Sequence, residues 1–135
     1  MSVKRKAAGT RKRRRAAVSP RLQEYTRGRL RDALESYVRS CCDSRTAARV
    51  SEFAQRLGRS RPYVSRLYLK VFGKPVRELM RELQVRRAEQ LLRSGRRSTS
   101  EIALMAAFGT QMTFFRVFFA LRGMKPNEFR QKVTK

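Results

Sequence analysis

SRPYVSRLYLKVFGKPVREL (residues 60–79) and TQMTFFRVFFALRGMKPNEF (residues 110–129) decide the fold, because they are one pattern written twice. Val64, Arg66, Tyr68, Gly73, Glu78 and Leu79 return 50 positions later as Phe114, Arg116, Phe118, Gly123, Glu128 and Phe129. Just upstream, Glu52, Ala54 and Gly58 return at a spacing of 49 as Glu101, Ala103 and Ala107, so the second copy has one extra residue in its turn. Each copy reads as a short helix, a tight turn and a longer helix, the outline of a helix–turn–helix unit.

Outward from the repeat the pattern stays helical. Ser19-Pro20 is a fair start for a first helix, and Leu22, Tyr25, Leu30, Ala33, Leu34, Tyr37, Val38 and Cys41 recur near helical spacing. Gly28 weakens its middle by roughly 1 kcal/mol, which leaves a bend or a later start open. Val50, Phe53, Ala54 and Leu57 give a second helix that stops at Gly58. Ser60 caps a third, with Val64, Leu67, Tyr68 and Val71 inward and Gly73 at its end. Pro75 opens a fourth, long helix with a stripe of Leu79, Leu83, Ala88, Leu91 and Leu92, closed by Gly95. Ser98-Thr99-Ser100-Glu101 is a capping box that opens the fifth. A sixth runs from about Gln111 to Arg122, and Pro126 starts a short seventh. No stretch shows sustained period-two alternation. The expectation is an all-α fold of about seven helices and no sheet. Its first unit covers about 47–73, its linker helix about 75–94 and its second unit about 98–131, all within a 20–135 DNA-binding domain.

Composition narrows the function. The chain has 34 Lys and Arg against 10 Asp and Glu in 135 residues, a formal charge of +24. Such a balance calls for a polyanionic partner, and nucleic acid leads because Lys and Arg displace the counterions condensed on phosphates. An anionic membrane surface competes only if a basic helix exposes bulky apolar residues. The absence of histidine removes His-based catalysis and His-containing metal sites. Cys41 and Cys42 are adjacent, too few for a zinc tetrahedron and wrongly spaced for a disulfide framework. No catalytic residue, metal or cofactor is expected. Residues 1–19 hold eight of the cations, Lys4 to Arg15, with no acid and little that is apolar. We read them as a tail disordered until it meets an anion, a non-specific DNA arm in preference to a targeting signal or a solvated tail.

Residues 51–92 and 100–130 together resemble the DNA-binding domain of the AraC/XylS family of bacterial transcription regulators. The telling pieces are S-x-x-x-[VL]-S-R-L-[FY] at 60–68, A-x-x-L-L at 88–92 and E-I-A at 101–103. Phe114, Arg116 and Phe118 as F-x-R-x-F and G-x-x-P-x-E-[FY]-R at 123–130 complete the set. The likeness covers roughly 29–131. Four positions depart from it. Ala107 replaces a glycine, which points to a second turn rebuilt around Gly109. Met112 replaces a small polar residue, Gln84 an arginine of the linker, and Arg122 an aromatic. The resemblance implies a cytoplasmic protein of the bacterial nucleoid that binds double-stranded DNA and recruits RNA polymerase. With no ligand-sensing domain ahead of the helix–turn–helix region, no small-molecule ligand is expected, and control would be through abundance. No membrane association is expected.

A recognition helix meets base edges in the major groove with its outward, N-terminal side chains. On the third helix those positions are Arg61, Pro62, Ser65, Arg66, Leu69 and Lys70, with Arg66 suited to a bidentate pair on guanine. On the sixth they are Thr110, Gln111, Met112, Thr113 and Arg116. Residues 51–73 carry +4 and residues 100–123 only +1, so the first unit should grip and the second read weakly, through Gln111 and Arg116. Arg56, Arg59, Arg86, Arg87, Arg93, Arg96 and Arg97 would anchor the backbone. Of Phe115 and Phe119, one is expected to be left exposed. Two other functions are open: a ribosome-associated or other structural RNA-binding protein, which fits the charge equally well, and a protein-interaction module that has lost DNA binding and uses exposed Phe residues. The two-unit repeat argues against the first, since the A-form major groove is too narrow for a helix.

Overall fold

The structure is a computed structural model that describes residues 26–134. The expected tail 1–19 and the Ser19-Pro20 start lie outside the described residues, as do Leu22 and Tyr25. The chain divides into two parts, residues 1–32 and residues 33–135. The helices are α1 (Arg27–Ser44), α2 (Val50–Leu57), α3 (Arg61–Phe72), α4 (Val76–Ser94), α5 (Thr99–Met105), α6 (Gln111–Arg122) and α7 (Pro126–Thr134). Among the described residues there is no strand, so the fold is all-α as expected.

In the first part, α1 begins later than a helix opened at Ser19-Pro20 would. Thr26 is outside the helix and its Oγ1 accepts the Arg29 N–H at 3.2 Å, a side-chain cap that defines the start. This puts Gly28 in the first turn rather than mid-helix.

In the second part, α1 closes with Arg45 in the left-handed region (φ 58°), where the Thr46 N–H reaches back to the Cys41 carbonyl at 3.0 Å. Cys41 and Cys42 are buried and free in the last turns of α1, and burial pushes the Cys42 thiol up to about 11, which keeps it protonated and unreactive. A chain of aromatic contacts then runs from Tyr37 through Phe53 and Tyr68 to Phe72, with centroids 5.3, 5.7 and 5.6 Å apart. The second unit has its own: Phe108, Phe114, Phe118 and Phe129, at 5.2, 5.8 and 5.5 Å. Each repeat therefore has an aromatic core of its own.

The expected stripe holds in the second half of the linker α4, where Ala88, Leu91 and Leu92 are buried, but not in the first half. Val76, Met80, Gln84, Val85, Ala88, Leu91 and Leu92 are its buried residues, while Leu79 and Leu83 are half-buried. The cause is that α4 packs against α3 early and against α5, α6 and α7 later, so it is covered from more than one side. A single apolar stripe describes a helix with one buried face.

Candidate nucleic-acid interface

Helices α3 and α6 are built alike. Ser60 Oγ accepts the Tyr63 N–H at 3.2 Å to start α3, and Thr110 Oγ1 accepts the Thr113 N–H at 3.1 Å to start α6. Gly73 and Gly123 end them at φ 74° and 73°, each donating its N–H to the carbonyl four residues earlier at 2.8 Å. Between those limits the order of buried, half-buried and exposed residues over 61–70 is repeated without change over 111–120. Arg61, Pro62, Arg66 and Lys70 are exposed on α3, with Ser65 half-buried; Thr110, Gln111, Met112 and Arg116 are exposed at α6, with Thr113 half-buried. The structure thus gathers the sequence-derived residues on the outward side of each helix.

The two sets differ in what their polar atoms already do. The Thr110 hydroxyl caps α6 and donates to Thr113 Oγ1 at 3.0 Å. Gln111 turns back to α5: its Nε2 donates to Thr99 Oγ1 at 2.6 Å and its Oε1 accepts from Ser100 at 3.3 Å. Met112, 77% exposed, and Arg116 therefore dominate the outer face of α6. Leu69 and Phe119, 50 positions apart, are both about half exposed (50% and 55%), whereas Phe115 packs on the core. Leu121, an apolar residue of α6, is also exposed.

The turn inside each unit carries a left-handed residue at the matching place, Gly58 at φ 69° and Ala107 at φ 65°. Ala107 holds the geometry of the glycine it replaces, and Gly109 adds a second left-handed residue at φ 84°. An alanine is kept there because its carbonyl is held twice, by Ala48 N–H at 2.9 Å and by Gln84 Nε2 at 2.7 Å. Gln84, fully buried, also reaches the Ala106 carbonyl at 3.4 Å. In the sequence Gln84 shows only as a departure from a family arginine; its partner lies 23 residues away and no local pattern reveals it. These bonds tie the linker, the segment before α2 and the second turn together, which fixes one helix–turn–helix unit against the other. Gly58→Ala should lose about 1–2 kcal/mol through left-handed strain alone, since nothing lies within 4 Å of the added Cβ. Gly109→Ala should lose roughly 1 kcal/mol more, because its Cβ would meet Ala47 Cβ at 3.0 Å. Thermal melts of the pair measure the difference, and equal losses would remove the packing contribution.

Most of the sequence-derived backbone anchors have intramolecular work. The Arg56 guanidinium lies 5.1 Å from the Tyr37 ring centroid, Arg59 5.5 Å from Tyr63, and Arg93 5.4 Å from Phe129. Arg86 pairs with Glu82, Arg87 bonds Gln90, and Arg97 faces Glu101 at 3.9 Å. Arg96 is exposed.

Arg122 is the largest surprise. Its Nη2 sits 2.6 Å from Glu82 and its Nε 2.7 Å from Glu89, so it clamps the end of α6 onto α4. Hydrogen bonding to Arg122 holds the Glu82 carboxyl below its ordinary range, and Glu89 and Glu82 push the Arg122 pKa up. The folded-state pKa of Glu82 is depressed, so the clamp stabilises fully above the unfolded pKa of about 4.3 and is lost as pH falls through the lower folded value. Solvent screening limits this to about 1 kcal/mol. Wild type should therefore lose more melting temperature than Arg122→Gln between about pH 6 and pH 3. Parallel losses would show that the clamp does not titrate.

A family model described as a helix–turn–helix domain matches residues 53–132. The chain is 25% identical over 88 residues to the Msm operon regulatory protein of Streptococcus mutans, covering 65% of this chain and 32% of that one. It is 31% identical over 91 residues to YkgA, an inferred HTH-type transcriptional regulator of Escherichia coli K12, covering 67% and 38%. It thus spans about a third of the length of these curated relatives. Among solved structures it superposes on the C-terminal domain of AraT, a response regulator from Geobacillus stearothermophilus, with a TM-score of 0.67, 25% identity and coverage of 87% and 88%. An AraC-type transcriptional regulator from Chromobacterium violaceum shares the fold at a TM-score of 0.62 and 22% identity, covering 90% of this chain and 98% of that one. With the repeat, the paired helices α3 and α6 and these matches in agreement, the chain belongs to the AraC-type family of helix–turn–helix domains.

Proposed function

We propose that the chain is a sequence-specific, double-stranded DNA-binding transcription regulator that inserts α3 and α6 into successive major grooves as a monomer. The observation that carries this reading is the repeated exposure pattern of α3 and α6, which presents two outward faces without an acidic side chain. A linker of 19 residues is about 28 Å long, comparable to the roughly 34–36 Å between major grooves on one face of the duplex. Arg66 reads guanine, while Ser65 and Pro62 complete the α3 contact. On α6, Arg116 reads a second site and Met112 offers an apolar surface to thymine methyls. Lys70 and the eight cations of residues 1–19 add phosphate contacts. RNA polymerase is the partner through which such a regulator acts, in the bacterial cytoplasm. Arg61, Arg66 and Lys70 on α3, against Arg116 alone on the outer face of α6, support a strong first grip and a weaker second one.

The test is selection from a random duplex DNA pool, followed by titration of the enriched site, random DNA and duplex RNA at two salt concentrations. Enrichment of two short motifs about one helical turn apart is the expected result. Failure to enrich any sequence, with equal affinity for duplex RNA, would overturn the reading.

A further inference from the structure

A cavity of about 180 Å³ opens where the start of α2 and the start of α3 approach the first half of α4. A single water needs roughly 10–15 Å³, so a phosphate-sized oxyanion fits. Four arginines line it: Arg49, which precedes α2, Arg61, the first residue of α3, and Arg77 and Arg81, one turn apart on α4. Val50 and Ser51 line it as well, at a helix N-terminus that no side chain caps. Arg81 is half-buried, and burial with the charges of Arg77 and Arg116 beside it pulls its pKa down. Among the described residues, the ion pairs use Arg86, Arg97 and Arg122, and none reaches Arg49, Arg61, Arg77, Arg81 or Arg116.

Half-burying a cation among like charges is unfavourable unless an anion completes the site. The rest of the protein shows the contrast: where Arg122 is held against α4, two glutamates hold it. We propose that the arginine pocket binds a phosphate group, and that in the DNA complex the occupant is a backbone phosphate lying between the two recognition helices. The location supports that source, because the pocket begins at the N-terminus of α3 in the first unit and Arg81 borders Arg116 of α6 in the second. This source rests on the DNA-binding reading above; the phosphate chemistry does not. The same geometry accepts the phosphate of a small phosphorylated molecule, and the two sources separate experimentally.

Two measurements compare wild type with Arg81→Gln, and Arg77→Gln serves as a second variant at an exposed position should the first not fold. In the first, free protein is melted in inorganic pyrophosphate and in sodium chloride at equal ionic strength. Wild type should gain a few degrees in pyrophosphate and the variant should not. In chloride the variant should melt no lower than wild type, since it sheds an uncompensated charge. In the second, both proteins are titrated with salt on duplex DNA. The slope of log K against log salt should become shallower by about 0.9 for the variant, with base preference unchanged.

A pyrophosphate gain without a slope change assigns the pocket to a free phosphorylated molecule and overturns the DNA source. The same gain in a protein that binds no DNA overturns the proposed function and leaves the phosphate site standing. A slope change without a gain supports a backbone phosphate alone. Equal gains for both proteins, or none, together with equal slopes, overturn the pocket as a phosphate site.

Discussion

Phe118→Ala is expected to destabilise the protein by about 3–5 kcal/mol, while Phe119→Ala, one residue away, should change stability by about 0.5 kcal/mol or less. Phe118 is fully buried and meets the Phe114 and Phe129 rings edge-on at 5.8 and 5.5 Å. Truncation leaves a cavity that α4 and α7 cannot close without breaking their own contacts, because the same cluster contains Leu92, Ile102 and Phe114. Phe119 is 55% exposed and makes no ring contact among the described residues. Since whole domains are stable by only about 5–15 kcal/mol, the first variant should stand near the threshold of unfolding. The chain has no tryptophan, so the melt is followed by helix circular dichroism. Tyr68, the counterpart of Phe118 in the first unit and also fully buried, tests whether the two cores unfold together. A single transition for Tyr68→Ala would follow from the Gln84 and Ala48 bonds that join the units. Similar losses for Phe118→Ala and Phe119→Ala would contradict the burial difference.

That pair of phenylalanines shows how far the sequence could be read. Helical period assigns Phe114 and Phe118 to one face, and the repeat assigns Tyr68 to the same place in the first unit. Neither period nor repeat separates Phe115 from Phe119, which both lie off that face; only the packing of α6 on the core does. Caps read from the sequence were local: Ser60 and Ser98 each bond an N–H three residues on, and Thr110, read only as an outward position, does the same. Partners far apart in sequence were not legible. Arg122 reads as a departure from an aromatic position until Glu82 and Glu89, 40 and 33 residues earlier, are brought beside it. The amide bonds of Gln111 to Thr99 and Ser100, 12 and 11 residues earlier, were likewise beyond any local pattern. The arginines of the phosphate pocket come from three helices or their ends, and no spacing in the sequence groups them.

Arg66→Ala should abolish most sequence-specific binding, by about 1–3 kcal/mol of discrimination at one or two base pairs, a factor of roughly 5 to 150. Arg66 is exposed on α3, one turn past Pro62 and one before Lys70, and among the described residues it has no ion pair or hydrogen-bond partner. Its guanidinium is thus free of the intramolecular contacts that engage Arg56, Arg59 and Arg122. Two comparisons isolate base reading from simple charge. Lys70→Ala removes the same charge from the same helix, and should weaken binding to all sequences alike while lowering the salt slope by about 0.9. Arg116→Ala, 50 positions on in the second unit, should relax preference one helical turn away, with a smaller loss because α6 offers fewer charged contacts. The measurement is competition between the selected site and single-base variants of it. If Arg66→Ala lowered affinity for every competitor equally, Arg66 would be a phosphate contact like Lys70. Base recognition would then have to come from Pro62 and Ser65 at the start of the helix.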